Sequence, residues 1–169
     1  MLLFCEISTV PLVFVDYMHV NPKFYGFYIL PVFGIYVLAN MVSNKLANTL
    51  DVDILLKIGL FSILLSNALV LAIYPFGVTP VLLMGVKSLT YVGWGFVFGN
   101  ATAQIVSAVS GKAGMASALM IALEMLFSGI GISFVGLFFN GTLMPLSIFM
   151  SSIALLGLIV MRDLSRVPS

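Results

Sequence analysis

The sequence predicts an all-α membrane protein, a six-helix transmembrane bundle that occupies residues 1–169 as a single transmembrane domain. Three observations lead there. Of 169 residues, 62% are hydrophobic and 8% charged, whereas an ordinary soluble domain carries about a quarter charged, so a water-facing surface cannot be assembled from this inventory. The apolar residues gather in six runs, each near the roughly 20 residues that a helix needs to cross about 30 Å of hydrocarbon. These runs are also too long and too uniformly apolar for the alternating strands of a barrel. An isolated strand in lipid would leave its backbone unpaired, and helices are what remains.

The first run, Leu2–Met18, has the length of a signal peptide but lacks a basic leader, contains Glu6 and is followed by further spans. It is expected to be a retained span. The link His19-Val20-Asn21-Pro22-Lys23 separates it from the second, Phe24–Ser43; a polar stretch holding Asp51 and Asp53 precedes the third, Ile54–Tyr74. Pro75-Phe76-Gly77-Val78-Thr79-Pro80 then leads into the fourth, Val81–Thr102, with Met115–Phe139 and Leu143–Met161 completing the set. Links this short make successive helices antiparallel neighbours and leave no room for a domain boundary. Pro11 and Pro31, each inside a run, are expected to kink their helices.

Six spans return both termini to one side. Lys45, Lys57, Lys112, Arg162 and Arg166 fall on that side and Lys23 on the other, which by the positive-inside rule predicts cytoplasmic termini and a multi-pass protein of the cell (inner) membrane. A net charge of +1 lacks the basic footprint of a nucleic-acid binder. The lone Cys5 cannot form an internal disulfide, and with the lone His19 it makes no metal or haem site, so no cofactor is expected. No Ser/His/Asp or Cys/His set can be composed either, and enzymatic chemistry is not expected. Asn140-Gly141-Thr142 matches a glycosylation acceptor, a pattern short enough to arise by chance.

Ionisable residues inside spans are expensive and mark function by default. Glu124 lies about nine residues into the fifth run, where it needs a cavity, a partner or a proton, and Ser117, Ser128 and Gly131 share its stripe. Its two readings are a substrate or proton role and a protonated structural carboxyl. Lys87 begins a face of the fourth run that continues through Tyr91 and Trp94 to Phe98, a cation beside aromatics at helical spacing. That face reads as a binding wall in which Lys87 pairs with Glu124 of the adjacent span or with substrate, or as an ammonium snorkelling to the outer interface. Glu6 reads as a carboxylate reaching the cytoplasmic interface, or as a pathway residue if the chain extends upstream. Asn40, Asn67 and Asn100 are further intramembrane polar candidates, each more often glue between helices than a ligand contact. Gly93, Gly95 and Gly99 superficially suggest a nucleotide loop, but they sit inside a span with no strand before them. Gly95 with Gly99, and Ala118 with Ala122, read instead as small-residue pairs that let backbones approach.

Two stretches carry a family likeness. Ile7-Ser8-Thr9-Val10-Pro11-Leu12-Val13-Phe14 with Phe24-Tyr25-Gly26, and Gly99-Asn100-Ala101-Thr102-Ala103-Gln104 with Ala113-Gly114-Met115-Ala116-Ser117-Ala118-Leu119, resemble bicyclomycin-resistance-type multidrug efflux transporters of the major facilitator superfamily. The first resembles that family's seventh helix and outer loop, the second the end of the tenth helix, its loop and the eleventh helix. The resemblance implies that the chain corresponds to the C-terminal six-helix half of a twelve-helix transporter, without the N-terminal half and its basic loop. It implies proton-coupled efflux of small lipophilic molecules by alternating access, with an N-terminal half or a second copy as partner. The competing expectation is a truncated or partner-dependent membrane scaffold without transport of its own.

Overall fold

The computed structural model describes residues 2–108, 112–139 and 142–164, and among them every regular element is helical. Six helices follow one another: α1 Leu2–Leu12, continued as a π-helical turn over Val13–Tyr17, α2 Pro22–Leu46, α3 Val52–Ile73, α4 Pro80–Ser107, α5 Ala113–Leu137 and α6 Met144–Leu164. Five are long and apolar enough to cross a membrane: α2, α3 with its terminal turn, α4, α5 and α6. These features are compatible with a multi-pass membrane protein. Asn140, Gly141 and Arg166, which figure in the acceptor pattern and the charge count, lie outside the described residues.

Local chemistry sets the boundaries. Asn21 caps α2 by accepting from the Lys23 N–H at 3.1 Å, with Pro22 at the first helical position, where its missing N–H costs nothing. Thr79 and Pro80 repeat the device at α4, the Thr79 hydroxyl accepting from the Leu82 N–H at 3.3 Å. Both helices therefore start before their apolar runs and also extend beyond them, α2 to Leu46 and α4 to Ser107. The 28 residues of α4 span about 42 Å, longer than the hydrocarbon, whereas α1 and its π turn, 11 and 5 residues, reach about 24 Å and fall short of the span expected over Leu2–Met18. Pro11 lies near the end of α1 and cannot donate to the carbonyl one turn back. Two residues later the helix widens to i→i+5 bonding, the Met18 N–H meeting the Val13 carbonyl at 3.1 Å. His19, at φ 52°, then turns the chain toward α2.

Packing divides the bundle. The most extensive helix contacts are α3 on α4, then α2 on α4, then α3 on α6. A Cβ added to Gly93 would lie 2.5 Å from the Gly59 carbonyl oxygen and 2.5 Å from Ile63 Cγ1, so at this crossing the backbones of α3 and α4 touch. Gly95 does the same toward α2, where a Cβ would meet Ala39 Cβ at 2.7 Å. Gly99 is looser, with Asn40 at 3.4 Å, so the tight seams are Gly59 with Gly93 and Gly95 with Ala39. On α5 both Ala118 and Ala122 are exposed, and the close approach expected of that pair does not occur within this chain. α1 packs chiefly on α5.

Candidate functional site

Among the described residues, Glu6 and Lys87 form a charge pair in the interior of the bundle. Glu6 on α1 and Lys87 on α4 are 0% and 1% exposed, and Lys87 Nζ stands 2.9 Å from Glu6 Oε1. The same ammonium donates to Asn67 Oδ1 on α3 at 2.9 Å, while Asn67 Nδ2 donates to the Ile63 carbonyl at 2.9 Å. The ammonium is thereby hydrogen-bonded to Asn67 and ion-paired with Glu6, neither of whose oxygens has a hydrogen-bond partner among the described residues, and the Asn67 amide is oriented by its own helix. One turn along, Thr90 donates to Ser66 Oγ at 2.8 Å and Ser66 to the Val86 carbonyl at 2.7 Å. Three helices are thus joined by a short polar chain in an otherwise apolar core.

This geometry corrects two expectations. Lys87 does not snorkel to an interface, and its carboxylate partner is Glu6 rather than Glu124, because α1 brings Glu6 onto the inward face of α4. Glu6 correspondingly does not reach an interface: a carboxylate beside a buried ammonium is held in the interior, since separating the two would strand both charges in an apolar medium. Glu124 is half-buried on α5, on the stripe where Ser128 and Gly131 are buried.

On α4 three of the four residues of the anticipated face are buried, and Phe98 is half-buried. Lys87, Tyr91 and Trp94 share the buried face, with Tyr91 meeting Phe33 edge-on at 5.6 Å between ring centroids. Tyr91 Oη, Trp94 Nε1 and Glu6 Oε2 have no hydrogen-bond partner among the described residues. Glu6 Oε1 likewise has none, and buried polar atoms are nearly always paired. Asn100, by contrast, donates to Ser43 Oγ at 2.7 Å and to the Phe96 carbonyl at 2.6 Å, which makes it glue between α4 and α2.

Ser66 and Thr90 complete the network and were not anticipated. The available signal was Thr90 three residues after Lys87 on one helical face, but the Ser66 contact crosses between helices. Wide grooves lie elsewhere, one of about 740 Å³ between α5 and α6, lined by apolar residues such as Phe134, Ile148 and Phe149. No protein-family model, curated protein or solved structure matches the chain.

Proposed function

We propose that the chain serves in membrane transport of small lipophilic molecules, as one six-helix half of a transporter that alternates access by rocking against a second half. The observation that carries this reading is the buried Glu6–Lys87–Asn67 network. Charges inside a membrane bundle are costly, and they persist where they line a substrate, ion or proton path. Two triplets of helices are compatible with the inverted-repeat arrangement of secondary transporters. The resemblance to bicyclomycin-resistance-type multidrug transporters points the same way: proton-coupled efflux in the inner membrane, cytoplasmic termini, and a partner half or second copy.

The α4 aromatics Tyr91 and Trp94 supply the apolar and cation–π surface that a lipophilic substrate needs, and Glu6 is the carboxylate whose proton would alternate with the Lys87 contact. In membrane vesicles holding the protein, an imposed proton gradient is expected to drive accumulation of a lipophilic fluorescent dye. Glu6→Gln and Lys87→Met are expected to lower it at least tenfold at unchanged protein level. Accumulation no greater than in vesicles without the protein sinks this reading.

The second reading is a membrane scaffold. It is favoured by one observation: the wide grooves are lined by outward apolar side chains and do not include Glu6 or Lys87. An absence of flux together with stable assembly would favour it.

A further inference from the structure

The Lys87 ammonium sits between two oxygens, Glu6 Oε1 at 2.9 Å and Asn67 Oδ1 at 2.9 Å, as a bound monovalent cation would. We infer that Glu6 and Asn67 form a cation site whose resident ion is the chain's own Lys87, and that the free ligands this site accepts are primary alkylammonium ions. The chemistry of the donor set favours that class. One acceptor is charged and one is a neutral amide, both at hydrogen-bonding distance, which suits an ion that donates N–H bonds in fixed directions. Glu6 Oε2 adds a further acceptor, fully buried and without a hydrogen-bond partner among the described residues.

Tyr91 and Trp94 lie along the same buried face as the lysine stem, so the surroundings of that stem include aromatic, apolar surface that suits an alkyl chain. With Lys87 in place the Glu6 carboxylate is compensated, and the site opens to a free ammonium once that side chain is shortened. The consequence for transport, that the chain carries its own coupling cation and needs no sodium or potassium, rests on the function proposed above; recognition of the ammonium ion does not.

The test is the thermal unfolding of the purified protein in lipid nanodiscs, with choline as the background cation. Lys87→Ala removes Cγ, Cδ, Cε and Nζ, the atoms of n-propylammonium. This variant is expected to melt about 6–12 °C below the parent. Added n-propylammonium should recover at least half of that loss saturably, more effectively than methylammonium or n-hexylammonium, while tetramethylammonium, which has no N–H, does nothing. The parent protein, its site filled, should not respond. Glu6→Gln keeps Lys87 but loses the charged acceptor, and it should melt low in every cation alike. Should Lys87→Ala not be recovered from the membrane, Lys87→Ser takes its place with the same expectation.

Equal stabilisation of the parent or of Glu6→Gln by n-propylammonium would place the ion elsewhere and overturn the assignment. So would a Lys87→Ala protein indifferent to all the amines. Neither result depends on flux, so the site can fail while transport stands, and the reverse.

Discussion

Where α3 crosses α4, backbone meets backbone at Gly59 and Gly93; where α1 faces α4, contact is made by the tips of two long charged side chains, Glu6 and Lys87. The first joint is short and apolar, with dispersion contacts along two smooth helix faces. It has no second arrangement within reach, because an interpenetrating crossing cannot slide without clashes. The second joint depends on the attraction of two buried charges. A bundle built this way has a tightly seamed side, α2, α3 and α4, and a side where α1 packs chiefly on α5 and meets α4 through an ion pair.

The largest expected effect falls on the ion-paired joint. Lys87→Met keeps most of the buried stem and deletes the charge, leaving Glu6 uncompensated; unfolding in mixed micelles is expected to show a loss of about 3–5 kcal/mol. A change below about 1 kcal/mol would mean that the pair is not closed in the membrane. Gly93→Ala comes next. Its Cβ would collide with the Gly59 carbonyl and Ile63 Cγ1, and the same assay is expected to show about 1–3 kcal/mol lost to overpacking; a neutral result would mean that the α3–α4 crossing is looser than described.

Asn100→Ala should lose about 1 kcal/mol, the worth of one interhelical hydrogen bond between α4 and α2, and, if the proposed transport holds, leave flux unchanged. A fall in flux at unchanged stability would move Asn100 from glue to pathway. The smallest effect is expected at Gly129 on the outer face of α5, where an added Cβ meets nothing within 4 Å. There Gly129→Ala should be neutral or stabilising by up to about 1 kcal/mol. A clear loss would reveal a partner covering that face.

The six helices were legible because a membrane span announces itself by length and apolarity alone, and Phe24–Ser43 differs from Pro22–Leu46 only where caps and polar turns extend the helix beyond hydrocarbon. The face of Lys87, Tyr91 and Trp94 was legible too, since helical periodicity is local. What could not be read was which distant helix would face it. Glu6 and Lys87 are 81 residues apart in sequence (87 − 6), and the pairing is decided by how α1 docks. The Gly59–Gly93 crossing escaped for the same reason: a glycine in a span reads as tight packing only once its neighbour is known. Gly95 with Gly99 had the right residue type, but the tighter contact proved to be with Ala39.

The central claim is that Glu6 and Lys87 stabilise each other inside the bundle, and a double-mutant cycle tests it most directly. Unfolding free energies would be measured in one lipid or micelle system for the parent, Glu6→Gln, Lys87→Met and the double variant. The account predicts that the double variant is about as stable as the less damaged single, giving a coupling energy above about 2 kcal/mol, because removing both charges leaves neither stranded. Single losses that simply add would contradict it, and would mean that the two side chains do not meet in the folded protein.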